Sequence, residues 1–152
     1  DIYGVSKSLG EIKNKNFYNL RTSIIGREFK TKKSLLEWFL NNKQKVHLKG
    51  FENHYWNGLT TNAFGEIIYT LIKNNIKIPN TIHIVPKDIV NKYDLLQMFN
   101  EKYNMKFKIK KFKTKIKVDR TLNSIYSKIL KQIWSSSIFK SQPKIKEMIE
   151  LI

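Results

Sequence analysis

Helix-like and strand-like patterns take turns along this chain, and that alternation restricts the fold more than any other feature of the sequence. Residues 3–13 open on small residues and read as a helix, and 18–26 (YNLRTSIIG) read as a strand that turns β-branched at its end. A short buried helix is expected over 34–42, with Ser34 as its N-cap, followed by a strand-like 46–49 and an aromatic loop over 54–58. Residues 61–73 place Phe64, Ile67, Ile68, Leu71 and Ile72 at helical spacing. A strand is expected over 81–85, closed by Pro86, and a helix over 91–103, where Asn91 and Asp94 have the spacing of a capping box. A lysine/apolar alternation over 106–117 and helical patterns around 122–130 and 144–152 complete the chain, the last two separated by the serine run 135–137 and Pro143. Such an order predicts an α/β architecture with parallel strand pairing. It yields four strands at most, and no GxGxxG or GxxxxGK phosphate loop occurs, so the pattern reads as half of a doubly wound fold.

With 152 residues and 41% hydrophobic residues the chain is long and apolar enough for a packed core. It has no cysteine, which excludes disulfide scaffolds, thiolate-held metals and thiol catalysis. The histidines at 47, 54 and 83 lack ligand spacing, so no metal site is expected. No apolar run nears the roughly 18 residues of a membrane span. No secretory leader precedes the first helix, and a cytoplasmic address follows as the expectation. The formal charge of +17 suits polyanions, yet 26 of the 29 basic residues are lysine and 21 residues are isoleucine, a skew that also follows from A/T-rich codons. Arginine, the residue that makes bidentate contacts, is scarce, which argues against nucleic acid as the main partner. The 106–117 lysines are read as an edge strand protected against aggregation, with a strand tracking a nucleic-acid backbone as the rival reading.

The chemistry-bearing feature stands at the start. Tyr3 and Lys7 lie four residues apart, on one face of the first helix. A phenol is a poor acid near neutrality, but an ammonium one turn away stabilises its phenolate and equips it to shuttle a proton to a carbonyl oxygen. The same spacing recurs at Tyr69 and Lys73 inside the 61–73 helix, where it reads as a core tyrosine and a solvated lysine. The first copy differs in its small neighbours, Gly4 and Ser6, in the pair Gly10-Glu11, and in the strand NLRTSIIG that follows.

That combination, YGVSKSLGE then NLRTSIIG, resembles the second half of an extended short-chain dehydrogenase/reductase. The segments LLEWFLNN, KGFENHYWNGLTT, IHIVPKDIVNKYDLL and VDRTLNS resemble the substrate domain of its sugar-nucleotide-binding branch. The resemblance runs from Asp1 to about Ile133. It implies the C-terminal part of a Rossmann-like doubly wound sheet plus a small α/β substrate-binding domain, with 1–30 closing the NAD(P)-binding domain and 31–152 mostly binding substrate. It implies Tyr3 as general acid on a sugar C4 ketone. Lys7 would tune Tyr3 and hold the ribose of NADPH or NADH, and Ser23 and Ile24 would lie beside the nicotinamide.

For substrate contacts, Trp56 in the aromatic loop is suited to stack on a base or sugar, or to serve as a core lid. The fork of Arg120 suits a diphosphate, or a structural pairing with Asp119. The implied activity is reduction of a 4-keto-6-deoxy sugar nucleotide. Epimerisation and 4,6-dehydration use the same Tyr–Lys pair, and a non-catalytic basic module that binds nucleotides or nucleic acid is the alternative from another class. The expected partner is a nucleotide sugar, with no membrane and with room for a homodimer. The family's glycine-rich cradle is not among these residues, so the expectation is a C-terminal fragment that is inactive by itself.

Overall fold

The computed structural model describes residues 2–28, 30–42 and 47–152. In chain order the elements are α1 (Ile2–Leu9), β1 (Asn19–Arg21), β2 (Ile24–Ile25), α2 (Leu35–Asn41), β3 (His47–Phe51), β4 (His54–Trp56), β5 (Leu59–Thr60), α3 (Thr61–Lys73), β6 (Thr81–His83), β7 (Val90–Asn91), α4 (Lys92–Lys102), β8 (Lys108–Phe112), β9 (Val118–Arg120), α5 (Ser127–Ser136) and α6 (Ile145–Ile149). The expected α/β alternation with parallel pairing is present: β1 pairs with β6, β2 with β5, β3 with β8 and β4 with β9, all parallel, while β7 joins β4 antiparallel.

The helices start where local chemistry dictates. Ser34, Thr60 and Asn91 cap α2, α3 and α4, each side chain accepting the backbone N–H three residues on, a bond that contributes about 1 kcal/mol per helix. Two of these helices also stop in the same way. Asn75 (φ 48°) and Asn104 (φ 46°) take the left-handed conformation. Ile76 N–H then reaches Leu71 O at 3.0 Å and Met105 N–H reaches Asn100 O at 2.9 Å, closing Schellman turns.

Four expectations are corrected. The 18–26 segment is two short strands rather than one, because Ser23 between them is engaged by β4 and β5 instead of continuing a ladder. The aromatic loop is a strand, β4, the centre of a three-stranded sheet. Short strands therefore outnumber the four expected, with nine among the described residues. The last long helix lies at 127–136 rather than 122–130, and it runs through Ser135 and Ser136 because Leu130, Ile133 and Trp134 bury its inner face. Val46, at the head of the expected 46–49 strand, lies outside the described residues. Among the described residues the lysine-rich β8 is an edge strand, as read, with β3 as its one neighbour.

The core joins α2, α3, α4, α5 and α6 over the strands. Phe39 meets Phe99 at 5.7 Å and Phe107 edge-on at 5.2 Å, and the buried Trp134 donates its indole N–H to Val85 O at 3.3 Å. By contrast, α1 buries none of its residues. It is followed by a turn pinned by asparagines: Asn19 Nδ2 donates to Ile12 O at 3.1 Å, and Asn80 Nδ2 to Phe17 O at 2.6 Å.

Candidate functional site

A cleft of ≈ 1210 Å³ opens where α1, the ends of β1 and β2, and the end of β9 meet. Three separate chain segments supply its walls, and they bring together Tyr3, Lys7, Ser23, Ile24 and Arg120. Its size is ample for a nucleotide-sized ligand.

On the α1 wall, Lys7 Nζ lies 5.5 Å from the centroid of the Tyr3 ring, and the tyrosine is 71% exposed toward the open space. The Ser6 hydroxyl donates to Tyr3 O at 2.8 Å, a bond back into its own helix turn. The two features that set this Tyr–Lys copy apart in sequence turn out to be partners. Glu11 accepts from Arg21 Nε and Nη2, both at 2.6 Å, a bidentate pair tying the end of α1 to β1. The Arg21 guanidinium accordingly holds the Glu11 carboxyl below its usual range.

On the strand wall, Ser23 is gripped twice. Its carbonyl accepts Leu59 N–H at 2.7 Å, and its hydroxyl oxygen accepts the Trp56 indole N–H at 2.7 Å. Trp56 thus stands behind the cleft wall and supports it. Gly58 makes this approach feasible, since a Cβ there would run into Ser23 O and the Trp56 ring.

On the third wall, Asn57 acts as a piece of backbone. Its amide donates to Leu122 O and accepts from Leu122 N–H, both at 2.8 Å, which fixes the segment carrying Arg120 and Thr121. Arg120 itself is not paired with Asp119, contrary to one of the two readings. Asp119 Oδ1 accepts from the Thr121 hydroxyl at 2.8 Å and Oδ2 meets Lys117 at 3.4 Å. The Thr121 bonds, with Lys117, hold the Asp119 carboxyl below its usual value. Asn57 and the Glu11–Arg21 pair escaped sequence reasoning. Asn57 sat in what read as a loop, and its partner is 65 residues away.

Among the described residues no group of histidine and acidic side chains is placed to hold a metal ion, and His54 and His83 are engaged by Thr114 and by Asn123 O. No helix of the described residues is long and apolar enough to cross a membrane.

With this geometry in place, comparison with solved structures shows a Rossmann-like α/β fold. The chain matches no family model, and no curated protein matches it in sequence. Among solved structures it is similar to dTDP-4-dehydrorhamnose reductase from Bacillus anthracis in complex with NADP (17% identity, TM-score 0.75, 99% of this chain and 53% of that one). It is also similar to a dTDP-4-dehydrorhamnose reductase from Clostridium acetobutylicum (16%, 0.67, 98% and 50%). A looser match is dTDP-glucose 4,6-dehydratase from Bacillus anthracis in complex with NAD (12%, 0.52, 86% and 42%). The chain spans about half the length of the solved proteins it matches, and the likeness is one of fold.

Proposed function

We propose that this chain supplies the catalytic and substrate-binding half of an NAD(P)-dependent sugar-nucleotide oxidoreductase, one that reduces the ketone of a 4-keto-6-deoxy sugar nucleotide. The observation that carries this reading is the convergence of Tyr3, Lys7, Ser23, Ile24 and Arg120 on one cleft from three segments of chain. The better fit to the reductases than to the dehydratase supports reduction over dehydration. On this reading 1–30 closes the cofactor-binding domain and most of 31–152 receives the substrate, although β1 shares its sheet with β6.

The wall made by Lys7, Ser23 and Ile24 fits the nicotinamide end of a dinucleotide: an ammonium and a hydroxyl for polar groups, and an aliphatic side chain, 45% exposed, for the ring. Bound NADPH or NADH would supply hydride. The pyrophosphate cradle would come from the part of the fold beyond these 152 residues. Tyr3 stands free to donate its hydroxyl proton to the ketone oxygen as that oxygen gains negative charge. Lys7 places positive charge beside the phenolate left behind. Arg120 presents its guanidinium to the ligand's diphosphate from the opposite wall.

The test is NADPH oxidation by the intact protein with dTDP-4-dehydrorhamnose, the 4-keto-6-deoxy sugar nucleotide of this class. Consumption of NADPH that depends on the sugar nucleotide is the expected result. Binding of polyanions that collapses with added salt, with no response to the sugar nucleotide, would replace the enzyme with a basic binding module.

A further inference from the structure

The two faces of the β3–β8 ladder are unlike each other. Register partners in a parallel pair point to the same side, so Leu48 and Ile109 share one face with Gly50 and Lys111, while Lys49 and Lys110 share the other with His47, Lys108, Phe51 and Phe112. The first face is closed. Leu48 is buried, Ile109 packs against the core, and a Cβ on Gly50 would run into Tyr93 of α4. Its lysine is matched as well, since Lys111 meets Glu52 at 3.3 Å.

The second face is open. His47, Lys49, Lys108 and Lys110 are exposed, and Phe112 leaves 40% of its surface to solvent. Among the described residues none of these three lysines lies within ion-pair distance of a carboxylate. Lys49 and Lys110 stand side by side in the register, a juxtaposition of like charges that opposes the ladder carrying it. Protection of a sheet edge calls for charge along the edge; it does not call for cations matched across two strands. Aromatic rings lie among these cations. Phe112 meets Phe51 edge-on at 5.7 Å, Phe51 stacks on His54 at 4.6 Å, and the Lys49 ammonium rests 4.6 Å from the centre of the Phe112 ring. Charge complementarity points to a polyanion, and the rings point to one that has bases to stack.

We propose that this face binds single-stranded nucleic acid, at a site separate from the cleft, whose lining includes none of these residues. Lysines two positions apart on a strand repeat at about 6.6 Å, a spacing suited to successive phosphates of an extended backbone. The exposed ring of Phe112 gives a base a surface to stack on, and Lys49 exchanges its contact with that ring for one with a phosphate. Because α4 covers the other face, the strand pair cannot enter a duplex groove as a free ribbon, whereas a single strand can lie along it. The face carries lysine and no arginine, so it has no fork with which to read base edges, and binding should tolerate any sequence.

The experiment is fluorescence anisotropy of the intact protein with a labelled oligothymidylate of about twelve nucleotides across a salt series, beside the thermal midpoint, for the wild type, Lys110→Gln, Phe112→Leu and Lys131→Gln. Lys131 is an exposed lysine of α5, outside this face, and its variant serves as the control for charge alone. Lys110→Gln should weaken binding several-fold at low salt and reduce the slope of log affinity against log salt by about 0.7, the share of one phosphate contact on a single strand. Its midpoint should not fall, since a like-charge neighbour has been removed. Phe112→Leu should weaken binding about tenfold with the slope unchanged, as the loss of one stacked base implies. A wild type that binds no oligonucleotide overturns the site, and so does a loss in Lys131→Gln equal to that in Lys110→Gln, which would mean that charge is spread over the whole surface. Unchanged affinity in Phe112→Leu, or displacement by polyglutamate of equal charge as readily as by unlabelled oligonucleotide, makes the partner an acidic polypeptide and overturns it too. Weaker binding in Lys110→Gln with a lower midpoint also overturns it, since the fold would then be what failed. None of these outcomes touches the reading of the cleft.

Discussion

Helices α1 and α3 each carry a tyrosine followed four residues later by a lysine, and in both the ammonium settles over the ring, 5.5 Å from the centroid of Tyr3 and 5.2 Å from that of Tyr69. Both tyrosines are exposed, 71% and 55%, so the core role expected for Tyr69 is not what the fold gives it. The local pair is thus a product of helical spacing and of cation–π attraction, available to any helix with this sequence. What differs is what stands opposite. Tyr3 and Lys7 share a cleft with Ser23 and Arg120, whereas Tyr69 and Lys73 ride on the outer side of a helix whose other face buries Ala63, Ile67 and Thr70. The anchoring differs as well: α3 is fastened by core packing, and α1, with nothing buried, by the Glu11–Arg21 pair beyond its end. On the proposed reading, chemistry is conferred by the facing wall, not by the pair.

The largest test of that distinction is a matched pair of phenylalanine variants. Tyr3→Phe should cut turnover of the intact protein by about 10²–10⁴-fold, the usual contribution of a positioned general acid, and leave its thermal midpoint unchanged. Tyr69→Phe should leave turnover as it was. Similar kinetics for the two variants would erase the difference between the helices.

Next comes stability. Ile67 is fully buried, and Ile67→Ala should cost about 2–5 kcal/mol in chemical denaturation. Val5 is 59% exposed on α1, and Val5→Ala should change stability by no more than about 0.5 kcal/mol. A loss at Val5 as large as that at Ile67 would mean that α1 is packed in the intact protein against something beyond these residues.

The same contrast marks what was legible in the sequence. Elements that announce themselves through local chemistry were read closely: Ser34 and Asn91 as caps, and the amphipathic run that is α3. Elements decided by distant partners were not. The strand NLRTSIIG breaks at Ser23 because Trp56 and Leu59, more than thirty residues on, hold it. The serine run does end α5, with Ser137 as its C-cap, but burial of Leu130, Ile133 and Trp134 first carries the helix through Ser135 and Ser136 despite their weak local propensity. Of the residues that line the cleft, Tyr3, Lys7, Ser23 and Ile24 were named through the resemblance and Arg120 through the chemistry of its fork. Asn57 was not, since it matters only through Leu122, 65 residues on, which the fold brings beside it.

A smaller effect probes the strand wall. Trp56→Phe keeps the aromatic bulk and deletes the indole N–H that reaches Ser23 Oγ at 2.7 Å, a bond whose net contribution is about 1 kcal/mol. The Ser23 hydroxyl oxygen then loses its fixed donor. Turnover should fall several-fold through loosened positioning, with stability reduced by about that 1 kcal/mol. A loss of stability with kinetics untouched would confine Trp56 to a packing role.

The smallest effect lies in how α1 is tied down. Glu11 is held below the usual carboxylate range chiefly by the Arg21 guanidinium, so its folded state binds a proton less readily than its unfolded state. A carboxyl depressed in this way contributes its stabilisation fully at neutral pH and loses it as the pH falls through the depressed value. The pair is at the surface, so the effect should be local. Amide exchange at Ile12, whose N–H is received by Asn19 Oδ1 at 3.2 Å beside the pair, should quicken under acid conditions. In Glu11→Gln it should already be quick at neutral pH, while the amides of α3 stay protected in both proteins. If NMR titration instead finds Glu11 at or above the ordinary glutamate value, the Arg21 tie is not what holds α1 against the cleft, and the difference in anchoring between the two helices must come from the asparagine contacts of Asn19 and Asn80 with the turn that follows α1.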